Sequence, residues 1–431
     1  MGSSLKKYLS VFLIVLVIGV LAACNSKEST TDQKSGDSSE KKEEQVVEFW
    51  TIALQPTFND YFKDVIAKFE EDNPGVKIDW KDFPYDAVQN KLLTSIASGN
   101  APGVVNLNTS MANQMGTKDA LVDFNAELSD EEKAAYFEGI YSSTEIDGKA
   151  NALPWYTGLP VLFINKDLVE KAGLDPNNPP TTKKELNEWG KTIKDKTGAY
   201  GYVFTMESRS ILEEGYQLLS DDFSKAAFNT GEVKDYIKGN IDLMKAGVIP
   251  KDVLNYDKQV QLFGSEQVGM ILSSASFINQ IKTASPDVYE KMVAVPSPVG
   301  DAGIRFSNTM NLVVPAKTKN KDAAVDFAVY VSNAENQLAF SKVASTLPST
   351  VESAKDAFFS KNDGSIEGQA LTASAGSLDK ATDFYIGIAA ASDVNASITK
   401  HLQNIYLNEA DIDAELSAAE KEVNDIIAKN K

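Results

Sequence analysis

The stretch VVEFWTIALQPTFNDYFKDVIAKFEEDNPGVKIDWKDFPYDAVQNKLLTSIASGNAPGVVNLN, residues 46–108, decides the fold. VVEFWT (46–51) is a short apolar and aromatic run of strand character. Behind it Phe58, Tyr61, Phe62, Val65, Ile66 and Phe69 recur at helical spacing, and NPG (73–75) stops that helix. VKIDW (76–80) alternates like a strand, and Tyr85 to Ser98 carries Val88, Leu92 and Ile96 on one face before Gly99. GVVNLN (103–108) reads as a third strand. Strand, helix, strand, helix, strand predicts an α/β fold with a parallel or mostly parallel sheet and helices on its faces. Ligands of such sheets bind beyond the carboxyl ends of the strands, which here are IALQPTFND (52–60) and NLNTS (106–110).

A second block begins with ALPWYTGLPVLFINK (152–166), which sets Trp155 and Tyr156 between Pro154 and Pro160. Two readings are open for these rings. They are core residues at a bend before a buried strand, or a platform held on a stiff turn for a ligand to stack on. VLFIN (161–165) is a strand, and residues 182–198 form a helix with Thr182 and Glu185 as a capping box and Gly198 as its stop. Further strands are expected in 199–204, 263–274, 291–300 and 308–316, with mostly helical sequence elsewhere in 210–290 and from Ala323 onward. Residues 46–431 are too many for one ordinary domain and suit two lobes.

The chain opens with Lys6 and Lys7 ahead of an apolar run, Val11 to Ala23. That describes an export signal, and the run falls short of the about 20 apolar residues of a comfortable membrane span. Cys24, the only cysteine, ends LAAC (21–24), which resembles a bacterial lipobox. There the signal is cut before the cysteine and the sulfur carries diacylglycerol, whose chains partition at about 0.8 kcal/mol per buried CH₂. Residues 25–45 are polar and charged, as in a disordered leash, spanning on the order of 25 Å as a coil. The expectation is a signal over 1–23, a lipidated Cys24 and linker over 24–45, and attachment to the extracellular face of the cell membrane through lipid alone.

Loss of Lys6 and Lys7 with the signal takes the formal charge from −19 to −21. So acidic a body argues against a nucleic-acid partner and against adsorption to anionic lipid. The single histidine, His401, lies in SITKHLQNIYL (397–407), a helical pattern with Ile398, Leu402 and Ile405 on one face. One histidine and no thiol beyond Cys24 exclude an HExxH zinc site, a cysteine nucleophile and a Ser-His-Asp triad. No GxxxxGK is present, so any coupled ATPase is a separate chain. No cofactor is expected. A glycoside hydrolase working with two carboxylates stays open among 61 acidic residues.

Several phrases occurring in order resemble the extracellular solute-binding lipoproteins of ABC importers, the sugar-binding family that includes maltose-binding protein. They are VEFWT with FKDVIAKFEEDNPGVKI, LLTSIASGNAPGVVNLN, ALPWYTGLPVLFINKDLVEKAGL, PPTTKKELNEW, FGSEQVGMIL and VPAKTKNKDAAVDFAVYV. The resemblance covers nearly all of residues 46–431. It implies a two-lobed periplasmic-binding-protein-like fold of type II, each lobe a mostly parallel sheet flanked by helices, with a hinge between. It further implies a monomer that captures a carbohydrate, most naturally an oligosaccharide, and hands it to the permease subunits of an importer.

The implied division is 46–156 and 298–350 in the first lobe, 157–297 in the second, and 351–431 as a helical tail mainly on the second. The chain would cross near Tyr156 to Leu159 and return between about Val295 and Phe306. A sugar site wants aromatic faces and fixed amides, which donate and accept at once. The ligand-binding candidates are Trp155, Tyr156, Gln55, Asn59, Asn106, Asn108, Glu207, Arg209, Phe277 and Asn308. Two departures from the family stand out. Gly103 replaces a common Asp, and Ser274-Ala275-Ser276 replaces a Gly-x-Trp whose ring stacks on ligand, leaving Phe277 as the substitute to test.

Overall fold

The computed structural model describes residues 44–204, 206–251, 254–384, 388 and 390–430, so Cys24, the signal segment and most of the linker lie outside the described residues. In chain order the first principal elements are β1 (Gln45–Ile52), α1 (Asn59–Asp72), β2 (Val76–Phe83), α2 (Tyr85–Ala97), β3 (Val104–Asn108), α3 (Thr109–Gly116) and β4 (Leu153–Thr157). There follow β5 (Val161–Asn165), α4 (Lys183–Thr197), β6 (Tyr200–Tyr202), α5 (Gly231–Lys245), α6 (Tyr256–Gly264), β7 (Val268–Ser273), α7 (Ser276–Ala284) and β8 (Met292–Pro296). The last group is β9 (Arg305–Ser307), β10 (Met310–Val313), α8 (Lys321–Val331), α9 (Ala334–Ala344), β11 (Leu347–Pro348), α10 (Ile366–Ala375), β12 (Ala381–Asp383), α11 (Ala391–Asn408) and α12 (Ile412–Lys429).

Three sheets organise these elements. The first has the order β11-β4-β10-β3-β1-β2, the second β8-β5-β7-β6, and a short third pairs β9 with β12. β1 pairs in parallel with both β2 and β3, as their alternation with helices requires. The expectation of mostly parallel sheets needs refining, because β10 lies antiparallel between β3 and β4, and β5 antiparallel between β7 and β8. Most strands in each sheet still point one way; β5 is reversed in the second sheet, and β10 and the short edge strand β11 are reversed in the first. β10 and β5 adjoin the connections between sheets, so each enters its sheet from the hinge side.

The first sheet is covered on both faces. Successive residues of a strand point to opposite sides, so Phe49 joins Phe62, Phe327 and Phe340 under α1, α8 and α9, while Trp50 joins Val88, Leu92 and Leu107 under α2 and α3. In the second lobe the capping box is formed, with Glu185 N–H donating to Thr182 Oγ1 at 3.2 Å, and Gly198 ends α4 at φ +79°. α10 packs against β8 and β5, and α11 and α12 pack with Phe228, Val233 and Ile237 of the second lobe's helical layer.

Trp155 belongs to the first core. It is fully buried, stacked on Phe340 with centroids 5.1 Å apart and rings inclined at 21°, and edge-on to Phe62 at 5.8 Å. Its position on β4 sends the ring to the same face as Phe49, where three helices close over it. Trp155→Ala is therefore expected to cost about 3–5 kcal/mol, as for other large buried rings. Urea unfolding would read this; a loss below about 1 kcal/mol would contradict the packing described.

Candidate functional site

The chain passes from the first sheet to the second through Gly158-Leu159-Pro160, between Thr157 at the end of β4 and Val161 at the start of β5. It returns between Pro296 and Met310, by way of β9. The two connections are clasped: Asn308 N–H donates to Gly158 O at 2.9 Å, and Gly158 N–H donates to Asn308 O at 3.3 Å. Thr157 and Thr309 share a hydroxyl hydrogen bond of 2.9 Å beside this pair.

Register shows what faces the clasp. Met310, the first residue of β10, pairs with Asn108 at the carboxyl end of β3 and with Tyr156 near that of β4. In the second sheet Val161 pairs with Ser273, the carboxyl end of β7, and β6 runs parallel to β7. The carboxyl ends of β1, β2 and β3 thus converge on the hinge from one side, and those of β6 and β7 from the other.

On the first lobe the loop after β1 is braced by Asp82. Its Oδ1 accepts from Thr51 Oγ1 at 2.5 Å and from Leu54 N–H at 3.0 Å, while Oδ2 accepts from Gln55 N–H at 3.2 Å. Trp80 Nε1 donates to Thr51 Oγ1 at 2.8 Å, extending the brace into β2. Gln55 consequently stands exposed on a loop whose backbone is held. Asn59 is also exposed; it is the first residue of α1, whose N-cap is Phe58 without a side-chain cap bond.

Asn108 is the N-cap of α3, its Oδ1 accepting from Met111 N–H at 2.8 Å and its Nδ2 donating to Tyr85 Oη. Tyr156 keeps a partly exposed ring, edge-on to Trp155 at 4.9 Å and tilted on Phe340 at 5.2 Å. Burial, and then the nearby Asp82 carboxylate, push its hydroxyl well above the usual tyrosine range, so it stays a neutral donor. On the second lobe Glu207 and Arg209 follow β6 and form an ion pair with Nε to Oε2 at 3.0 Å. Asn308 exposes its side chain on the clasp.

Three candidates sit inside the protein instead. Trp155 presents no face to solvent, for the packing reason above. Asn106 is fully buried because β3 is covered on both sides; its Nδ2 donates to Asn311 O at 3.1 Å, tying β3 to β10. Phe277 is fully buried against Phe163 at 5.2 Å and Phe263 at 5.3 Å, so it does not replace the missing ring beside Ser274–Ser276. His401 is buried between α11 and α12, with Nδ1 2.5 Å from Glu415 Oε2 and Nε2 3.1 Å from Glu422 Oε2. It is a helix clasp remote in role from the cleft.

Three residues at the converging ends escaped the reading of the sequence. Asp82 is the brace just described. Tyr85, 52% exposed, starts α2 beside Asn108. Tyr256, 39% exposed, starts α6 and meets Phe277 edge-on at 6.4 Å. Tyr85 opens the helix that follows β2, and a ring at such a joint was the available signal; Tyr256 opens the helix that precedes β7, and nothing in the sequence marked it. Among the described residues no His, Cys, Asp and Glu groups are placed to hold a metal ion.

Two α/β lobes, joined by clasped connections with polar and aromatic groups on facing strand ends, define a hinged binding protein. The chain belongs to the bacterial extracellular solute-binding protein family, whose model matches residues 64–366. It is similar to a Brucella abortus (strain 2308) protein described as a binding protein, at 26% identity over 86% of this chain and 90% of that one. The diacetylchitobiose binding protein DasA of Streptomyces coelicolor is 23% identical over 87% and 88% of the two chains. The crystal structure of the cyclic alpha-maltosyl-1,6-maltose binding protein of Arthrobacter globiformis superposes with a TM-score of 0.75 at 24% identity, covering 89% of this chain and 99% of that one. Such relatives are substrate-binding proteins of ABC transporters and not enzymes.

Removing the Asp82 carboxylate leaves the Leu54 and Gln55 amides without their acceptor. Asp82→Ala is expected to cost about 1–3 kcal/mol, with Asp82→Asn recovering only part, because its amide can serve fewer donors. Denaturant midpoints of the two variants, compared with the parent, check this; equal midpoints would refute the brace.

Proposed function

We propose that the chain is the lipid-anchored extracellular binding component of an ABC importer, closing its lobes on a carbohydrate and presenting the closed form to the permease. The observation that carries this reading is the convergence of two kinds of group on one hinge. Tyr156, Tyr85 and Tyr256 offer rings, while Gln55, Asn108 and the Glu207–Arg209 pair offer fixed polar atoms. Sugars present apolar C–H faces with polar rims, and this pairing of surfaces suits them. The glycans in the names of two relatives, diacetylchitobiose and cyclic alpha-maltosyl-1,6-maltose, agree with an oligosaccharide. Closure by rotation about the clasp would bury the ligand and trap the closed form. Cys24 carries the anchor in this reading, and residues 25–45 the leash.

A thermal-shift screen over mono- and oligosaccharides tests the assignment. One class of glycan should raise the melting temperature in step with the logarithm of its concentration, consistent with about 2.7 kcal/mol at a hundredfold excess over Kd. X-ray scattering on the same sample should show compaction. A panel in which no carbohydrate shifts melting would sink the sugar assignment. Tyr156→Ala should weaken the identified glycan at least tenfold, about 1.4 kcal/mol, in calorimetry; unchanged affinity would remove that ring from the site. For the anchor, Cys24→Ser should move the protein from the cell membrane to the medium, and retention on the membrane would argue against lipidation.

A further inference from the structure

Asp383, the last residue of β12, is only 8% exposed, and it gathers the hinge onto one carboxylate. Its Oδ1 accepts from Ser307 Oγ of β9 at 2.9 Å, and both oxygens accept from Thr309 N–H, at 3.2 and 3.0 Å. Oδ2 also accepts from Thr109 Oγ1 at the start of α3. Thr309 in turn bonds Thr157, and Asn311 Nδ2 donates to Thr109 Oγ1 at 2.9 Å. One acidic group thus touches the first lobe directly, through α3, and reaches both connections within two hydrogen bonds.

The hydrogen bonds to Asp383 come from neutral donors. Arg305 of β9 pairs with Ala381 rather than Asp383, and its Nε donates to Ser297 O at 2.9 Å and Ser297 Oγ at 3.2 Å. α3 carries no charged residue. The remaining charged or titratable groups on elements packed against β12 or α3 are Glu138, Glu145, Asp379 and Lys380, with Asp393, Lys400 and His401 on α11; none of them donates to the carboxylate, and Lys400 and His401 are bonded to Glu422 and Glu415 instead. A buried charge with hydrogen bonds but no counterion is held at a cost.

We propose that Asp383 gates the hinge by its charge: the ionised carboxylate favours arrangements of the connections that admit water, and the protonated carboxyl favours the buried arrangement. Burial pushes the group from 3.8 up to about 6, against the opposing hydrogen bonds from Thr109, Ser307 and Thr309. A hinge opened to water would return it toward 3.8. The buried form therefore binds its proton more tightly. Its advantage is fully present below about pH 4 and is lost as pH rises through about 6. A gap of about two pH units corresponds to as much as about 100-fold in the opening equilibrium.

Amide hydrogen exchange of Asn308 and Thr309 in the intact chain, corrected for the intrinsic pH dependence of exchange, reads this opening without any ligand. Protection at pH 5 should exceed that at pH 7.5 by on the order of tenfold, with the midpoint of its logarithm at about pH 5 and no further change above about pH 6.5. Asp383→Asn should flatten the profile. Thr109→Val and Ser307→Ala each remove a donor to the ionised form, so each should move the midpoint to higher pH; these two keep the test decisive should the asparagine variant not fold. A flat parent profile, protection that rises with pH, or an unmoved midpoint in both donor variants overturns the proposal. Because no sugar enters the measurement, its outcome is independent of the carbohydrate screen.

Discussion

The reciprocal hydrogen bonds between Gly158 and Asn308 are the constraint on which the rest depends. Two of the three chain connections between the lobes, separated by most of the second lobe, are held together at one point; the third runs from β11 to α10. Each lobe has its own sheet, and the strands nearest that point, β4 and β10 on one side and β5 on the other, run directly out of the clasp. Rigid bodies joined at so narrow a waist have few ways to move relative to one another, and rotation about the waist is the least costly. The facing strand ends are then brought together or apart as units.

The two lobes prepare this surface differently. On the first, Asp82 spends its acceptors on the loop backbone, which leaves the Gln55 side chain uncommitted while its main chain is fixed. Preorganisation of this kind lowers the ordering entropy lost on binding. On the second, Ser274, Ala275 and Ser276 are exposed and small. An exposed ring beside Phe277, that of Tyr256, comes from the helix before the strand rather than the segment after it. A ligand held there would be gripped from a different angle, which bears on which sugars fit.

What could be read in advance was what local physics decides. β5 spans Val161–Asn165 as expected, and the Thr182–Glu185 box and the stop at Gly198 formed because capping involves only neighbours in sequence. The orientation of rings was not legible. Whether Trp155 faces a ligand or a core depends on Phe340, which arrives from α9 far along the chain. Asn106 looked available because amides are usually exposed, yet a strand covered on both faces has no exposed side, and only the second covering layer reveals this. Asp82 was unremarkable in sequence because its role is to satisfy backbone amides of a loop on another strand. The reversed strands β10 and β5 were hidden for a related reason: direction in a sheet belongs to the pairing, not to the segment.

The insertion of β10 between β3 and β4 also governs how the molecule must be assembled. The hydrogen bond from Asn106 to Asn311 joins residues 205 apart in sequence. Until β10 is available, β3 and β4 each present an unpaired edge, and the first sheet cannot be completed from the segment that begins it. Contacts of such long range are formed late, since the loop they close must be ordered first. The architecture therefore postpones its own closure: the amino-terminal body stays unfinished until the chain has made all four strands of the second sheet and come back.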